Sequence, residues 1–358
     1  MQNLSGQKNK VYFKRISDWA AKEEIASLLL SLWQNMADSN FIKKDDFAAI
    51  KLTFGEEGTS GYIKPEWLEN LIKELKDKTE NLFILETNTL YREKRSNAVG
   101  HLHVAHMHGY DISSLGIPII IGDGLMGSDS QSVPVKGEHF ESVKLSKTLC
   151  ESDALISLSH VTGHCQTGFA GALKNLGMGC AARAGKLLQH SKTLPEITVE
   201  ECNGCGECMR ICPANAIGLK KKKAILVKER CIGCGECTVV CRPGAIAIKY
   251  DENAVRLQEK MVEYALGVKN ALSSKIACIN FLYSITKNCD CMSKNEPSIA
   301  ADIGLLGGFD PVSVDKASLD MVGIETFNKI HPEIDPMVQM RHAEKIKLGS
   351  LEYELIEV

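Results

Sequence analysis

Long hydrophobic runs are missing from this chain of 358 residues. The longest stretch without Asp, Glu, Lys or Arg, Ala154–Leu173, contains two histidines, Gln166, three glycines and several hydroxyls, which excludes a membrane span. The amino terminus, MQNLSGQKNKVYFKR, has neither the apolar core nor the small-residue cleavage site of a secretory signal, so the expected compartment is the cytoplasm. Net charge is nearly absent too: 42 basic residues face 45 acidic ones, for −3 overall, which gives no general attraction to nucleic acid or membrane surfaces. Proline is sparse (10 residues), and the 44% hydrophobic and 24% charged composition excludes a collagen and a largely disordered chain. A chain of this length buries a core without crosslinks, so it is not a small disulfide-stapled scaffold.

Cysteine is plentiful. Eight of the 14 cysteines fall between Cys202 and Cys241. In a reducing compartment such clustering reads as metal ligation rather than disulfide bonding. The segment is an internal repeat at an offset of 29 residues: CNGCGECMRICP from Cys202 aligns with CIGCGECTVVCRP from Cys231, Ala216-Ile217 with Ala245-Ile246, and Lys220 with Lys249. Each half has the spacing C-x2-C-x2-C-x3-C. Three cysteines on a tight glycine-containing loop reach three corners of one [4Fe–4S] cube, and the fourth serves the other cube. The expectation is therefore Cys202, Cys205, Cys208 and Cys241 on one cluster, and Cys231, Cys234, Cys237 and Cys212 on the second. Gly204, Gly206, Gly233 and Gly235 allow the sharp loops. Zinc sites favour paired CxxC units and fit this spacing less well. In all eight ligand positions the segment resembles a bacterial-type 2[4Fe–4S] ferredoxin. The run Lys220–Lys223 between the halves reads either as a solvated hairpin tip or as a docking patch for an acidic redox partner.

Outside the insertion, apolar runs alternate with helical spacing. Strands are expected at Phe47–Phe54, Asn81–Glu86, Ile117–Ile121, Asp153–Leu158 and Lys275–Leu282. Helices are expected at Trp19–Met36, Pro65–Leu75, Asn253–Leu272 and Val314–Val322. This predicts an α/β fold with a mainly parallel sheet, interrupted by a small α+β ferredoxin-type insertion: residues 1–195 and 251–358 form the α/β domain and 196–250 the insertion.

Weaker signals remain. Cys289-Asp290-Cys291 is a C-x-C pair that suits a soft metal, a redox dithiol or free thiols. Cys150, Cys165, Cys180 and Cys278 read as packed small hydrophobes. Histidines gather at His101, His103, His106 and His108, within a possible helix Val99–His108, and at His160 and His164. They read either as hydrogen-bonded structural groups or as metal or substrate contacts. Gly177–Ala182 matches GxGxxA but follows a helical segment rather than a strand. Gly179 to Gly185-Lys186 misses the phosphate-loop spacing. Gly168–Gly179 still offers backbone N–H groups at a helix start to an anion.

The motifs GHCQTGFAGALKNLGMG (Gly163–Gly179), NCDCMSKNEP (Asn288–Pro297) and DIGLLGGFDPVSVDKASLDMV (Asp302–Val322), with the tail HPEIDPMVQMRHAEKIKLGSLEYELIEV, resemble the DUF362 family of iron–sulfur-centre proteins over nearly the whole length. The resemblance implies cluster binding and redox work without a defined substrate. Two [4Fe–4S] clusters are thus expected to relay electrons between a redox partner protein or small electron carrier and a site in the α/β domain. His160, His164, Lys174, Asn175, Cys289 and Cys291 are the candidate lining of that site, with Lys174 and Asn175 suited to a small anionic substrate. Two alternatives are a non-catalytic electron-transfer or docking protein, and a metal-dependent non-redox enzyme with structural clusters.

Overall fold

A computed structural model of the chain describes residues 8–358 apart from 17–21, 39, 92, 192–193, 248–250 and 293. The first residues of the expected Trp19–Met36 helix, and Lys249 and Tyr250 at the end of the insertion, lie outside the described residues.

Eight strands form the central sheet: β1 (Asn9–Arg15), β2 (Ala48–Lys51), β3 (Leu82–Glu86), β4 (Ile119–Ile121), β5 (Ala154–His160), β6 (Ile276–Leu282), β7 (Gly304–Gly308) and β8 (Tyr353–Glu357). Their spatial order is β8-β1-β7-β6-β5-β2-β3-β4. Strands β4, β3, β2, β5 and β6 are mutually parallel; β7 runs antiparallel to both β6 and β1, and β8 pairs parallel with β1. The central strands are buried on both faces, which is why they read as continuous apolar runs rather than alternating ones. Successive side chains still divide between two cores: Ala48, Ile50, Ile84 and Ile156 face one, and Ala49, Leu85 and Leu155 the other.

Helices cover the sheet. They include α1 (Lys22–Met36), α2 (Glu69–Lys76), α3 (Ala98–Met107), α4 (Ala172–Gly177), α5 (Arg183–His190), α6 (Ala254–Ala271) and α7 (Pro311–Val322). The last begins earlier than the expected Val314. Asp310 caps it, accepting hydrogen bonds from the amides of Val312 and Ser313, with Pro311 in the first turn. Pro65–Leu68 is a 3-10 turn leading into α2, so that expected helix is a composite.

The chain passes from β2 to β3 to β4 toward one edge, then re-enters at β5 on the other side of β2 and continues to β6. The direction of winding therefore reverses between β2 and β5, where Lys51 stands in register with Ser157. Crevices at the carboxyl ends of strands at such a reversal are the usual ligand sites of open α/β sheets.

Residues 194–247 build a separate small unit. Glu196–Ile197 pairs antiparallel with Ile246–Ala247, and Ile217–Lys220 forms a hairpin with Lys223–Leu226. Two short helices, Glu207–Ile211 and Glu236–Val240, each begin just after a glycine in the left-handed region, Gly206 (φ 77°) and Gly235 (φ 72°). The repeat seen in the sequence is thus a repeat of loop-plus-helix. Its small core is made of Cys202, Cys208, Cys237 and Cys241 with Ile217, Ala224, Ala245 and Ile246.

Candidate functional site

At the carboxyl ends of β2, β3 and β5 lies a cavity of about 640 Å³, lined by all six candidates from the α/β part: His160, His164, Lys174, Asn175, Cys289 and Cys291. Its floor is a charged network. Lys51, fully buried at the end of β2, pairs with Glu86 at the end of β3 (2.8 Å), and Arg95 reaches both Glu56 (2.8 Å) and Glu86 (3.7 Å). Burial pushes the Glu86 carboxyl up, but the cations Lys51 and Arg95 beside it, with His101 and Lys186, outweigh that and hold it at about 2.

Asn175, on α4, ties this floor to the strand ends. Its Oδ1 accepts from Lys51 Nζ (2.9 Å), while Nδ2 has within reach Ser157 Oγ and Leu158 O (3.0 Å each), Ser159 Oγ (3.2 Å) and Lys51 O (3.3 Å). The amide is spent on the fold, so Asn175 is a scaffold for the cavity rather than a substrate ligand. The backbone N–H groups at the start of α4 are spent as well. Asp315 accepts from Ala172 (2.7 Å) and Leu173 (2.8 Å), so the anion that the Gly168–Gly179 segment was expected to bind is the protein's own carboxylate. The GxGxxA glycines also serve packing: a Cβ on Gly177 would lie 2.1 Å from the Met261 carbonyl oxygen of α6.

Lys174 and Lys186 are two cations of the cavity whose hydrogen bonds go to groups other than carboxylates. Lys174 Nζ donates to Cys289 Sγ (3.4 Å), and Lys186 Nζ to Thr87 Oγ1 (2.5 Å) and Asn88 O (2.6 Å). Burial pulls each ammonium down to about 8. His160 sits between Asp290 (Nδ1 to Oδ2, 2.8 Å) and the Tyr283 carbonyl (Nε2 to O, 2.8 Å). Burial opposes charge on this ring, but Asp290 and the two acceptors prevail and raise it above the ordinary imidazole value. Both ring nitrogens then donate. His164 behaves oppositely: burial, aided by Lys174, His190 and His331, drives it well below the ordinary value.

Cys289 and Cys291 are joined as a disulfide. A ring nitrogen of His164 and the two sulfurs lie within 4.8 Å of one another, a spacing that a metal can use. In the bonded state, however, the sulfurs offer no thiolate, which removes the donors that a soft metal at this pair requires. A second such group, His139, Glu263 and His342, is committed to structure: Glu263 accepts from the amides of Glu138, His139 and Phe140 and from His342 Nε2.

The histidines of α3, with His108 just past its end, do not line the cavity. His101 is buried edge-on against Phe54, His108 stacks on Tyr62 with ring centroids 4.2 Å apart, and His103 and His106 are exposed. Sequence reasoning missed Lys51, Glu86, Arg95, Lys186 and His190. The signal for the first two was a charge at the end of an apolar strand, in FAAIKLTF and NLFILE.

In the small unit, Cys202, Cys205, Cys208 and Cys241 line one cavity with Ala224 and Ile246. Burial raises the Cys208 thiol, and Cys241, Cys202 and Cys205 raise it further. Cys237 is raised by burial, then by Cys234, Cys231, Cys208 and Cys212, and Cys234 feels Cys212 and Cys231 in the same way. Cys241 of the second repeat thus lies with the first three cysteines of the first repeat, and Cys212 of the first lies near enough to Cys234 and Cys237 of the second to act on both. Backbone amides point at the sulfurs: Ala224 N donates to Cys202 Sγ (3.4 Å) and Ala216 N to Cys212 Sγ (3.2 Å).

Fold and cavity define an α/β protein with a mainly parallel sheet and, where its winding reverses, a crevice floored by buried charged side chains. The chain belongs to the family described as domain of unknown function DUF362, whose model matches residues 48–320. Among solved structures it is similar to the lactate racemase apoprotein from Thermoanaerobacterium thermosaccharolyticum (12% identity, TM-score 0.45, covering 87% of this chain and 56% of that one). It is also similar to a Thermotoga maritima protein from structural genomics (11%, 0.41, covering 91% and 59%). The chain thus spans a little over half the length of each. No curated protein matches it. Among the described residues, no helix is long and apolar enough to cross a membrane.

Proposed function

We propose that the chain is an iron–sulfur protein of the cytoplasm. In this reading the 196–250 segment is a ferredoxin-type insertion holding two [4Fe–4S] clusters, and it passes single electrons between a redox partner and the cavity of the α/β domain. The observation that carries the reading is the crossed grouping of thiols, Cys202, Cys205 and Cys208 with Cys241, and Cys231, Cys234 and Cys237 with Cys212. When bound, the clusters supply one-electron transfer, with potentials set by hydrogen bonds to sulfur and by burial.

The donor set fits cubes better than single ions. Zinc–sulfur bonds of about 2.3 Å hold tetrahedral sulfurs about 4 Å apart. Among the described residues, no three of these eight thiols form a group within 4.8 Å. The amides of Ala224 and Ala216 are placed to stabilise negative sulfur.

A contact between the two units supports delivery to the cavity. Leu188 of α5 lies 3.7 Å from where a Cβ on Gly233 would stand, and Glu236 hydrogen-bonds Ser128 and feels Arg183. The same helix carries Lys186 and His190 into the cavity. One helix, about 10 Å across, thus separates the second cysteine loop from the cavity. Lys220, Lys221 and Lys222 are exposed at the hairpin tip, suited to an acidic partner. Anaerobic electron paramagnetic resonance of the dithionite-reduced chain tests the reading. Two magnetically coupled cluster signals are expected; a silent spectrum with stoichiometric zinc overturns it.

A further inference from the structure

We propose that Cys289 and Cys291 form a redox-active disulfide–dithiol couple that exchanges electrons with a small thiol or disulfide entering the cavity. Cys291 is the sulfur attacked, and Cys289 the leaving thiolate, held by Lys174. The assignment stands apart from the cluster reading and shares no residue with it.

Three observations carry it. The pair lies on a cavity large enough for a small molecule, with Cys291 half-buried and Cys289 buried behind it, so an incoming thiol meets Cys291 first. Lys174 Nζ, 3.4 Å from Cys289 Sγ, places a cation where negative charge appears when the S–S bond breaks. The turn is held on both sides: Asp290 pairs with His160 and its carbonyl accepts from the Glu56 amide (2.9 Å), while Asn288 donates to Glu296 from N (2.9 Å) and Nδ2 (2.8 Å). With its backbone already fixed by these bonds, the turn needs no covalent staple. A disulfide of sequence separation 2 closes a very short loop and restricts the unfolded chain little.

His164 decides between thiol chemistry and metal binding. Its Nδ1 accepts from the amides of Gln166 and Thr167 (3.2 Å each), which puts the proton of the neutral ring on Nε2. A metal-bound imidazole donates from its second nitrogen instead. One nitrogen here has its lone pair occupied and the other carries hydrogen, so the ring as arranged has no free pair for a cation.

The chemistry balances. A substrate thiolate attacks Cys291 Sγ, a new S–S bond forms to it, the Cys289–Cys291 bond breaks, and its electron pair leaves on Cys289. A second thiolate attacks the substrate sulfur of the mixed disulfide and releases Cys291. Two substrate thiols lose two electrons and two protons to become a disulfide; the cysteines gain both and become thiols. The reverse reaction reduces a substrate disulfide.

The tryptic peptide Asn288–Lys294 contains both cysteines and no others. The full chain is equilibrated with glutathione buffers of graded potential, quenched by alkylation and mapped by mass spectrometry. The expected result is a peptide that moves reversibly between disulfide and doubly alkylated forms, with the folded chain reduced faster than the same chain in guanidinium. Lys174→Met should slow the reduction about tenfold and Lys174→Arg should restore it, as loss and return of the cation beside the leaving thiolate demand. Equal rates in the folded and unfolded chain overturn the proposal without any variant. So does a purified protein in which the pair is a dithiol holding stoichiometric metal, or a Lys174→Met rate equal to wild type. Loss of the clusters with exchange intact would sink the cluster reading alone.

Discussion

Replacing Asn175 by alanine should loosen the whole floor of the cavity. The Lys51 Nζ to Asn175 Oδ1 bond (2.9 Å) involves a buried charge, and such bonds contribute about 1.5–3 kcal/mol. The Nδ2 group has two hydrogens to share among four acceptors; the two best placed, Ser157 Oγ and Leu158 O at 3.0 Å, add about 1 kcal/mol each. The expected loss is about 4 kcal/mol. Asn175→Asp keeps the volume and the partner for Lys51 but turns oxygen toward the Leu158 and Lys51 carbonyls, so it should cost at least as much at neutral pH. Guanidinium unfolding followed by tryptophan fluorescence is a suitable assay, because Trp33 and Trp67 are buried in the α/β core and the 196–250 segment contains no tryptophan. A loss below about 1 kcal/mol for Asn175→Ala would refute the assignment of this residue as the pin across the strand ends.

Other expectations follow from the same geometry. Gly177→Ala puts a methyl 2.1 Å from the Met261 carbonyl, and overpacking of this kind should cost about 1–3 kcal/mol or more in the same assay. His160 has its pKa raised in the folded state, so its ion pair with Asp290 adds stability below the unfolded imidazole value of about 6.5 and loses it as pH rises through the folded value. Asp290→Asn should therefore destabilise more at pH 6 than at pH 9, measured by urea midpoints; an equal cost at both would contradict it. Changing Lys220, Lys221 and Lys222 together to Gln should slow reduction by an acidic electron carrier several-fold at low salt and negligibly at high salt, read by stopped-flow bleaching of the cluster absorbance.

Much of the fold was visible in the sequence for one physical reason: parallel strands buried on both faces leave dense apolar runs, as in NLFILE and KIACINFL. The antiparallel side of the sheet was hidden. Asn9–Arg15 and Tyr353–Glu357 lie toward an edge and carry charges, and Gly304–Gly308 (GLLGG) looks like a turn. Its glycines are needed in a strand because α1 packs against them: a Cβ on Gly307 would lie 2.7 Å from Met36 Sδ. The C-x-C pair, His160, His164, Lys174 and Asn175 stood out as chemistry in short motifs, and the structure brings them to one cavity. Their roles did not stand out. Whether Asn175 meets a substrate or a strand end depends on Lys51, 124 residues away. Lys51, Glu86 and Arg95 were invisible as a set because each is a local anomaly until the sheet pairs β2 with β3.

The central claim is that crossed cysteine repeats hold two cubes. Anaerobic reconstitution followed by iron and acid-labile sulfide analysis tests it most directly. The account predicts about eight irons and eight sulfides per chain, with Cys208→Ser and Cys237→Ser each losing about half of both. Four or fewer irons in the wild-type chain, or stoichiometric zinc without sulfide, would contradict it.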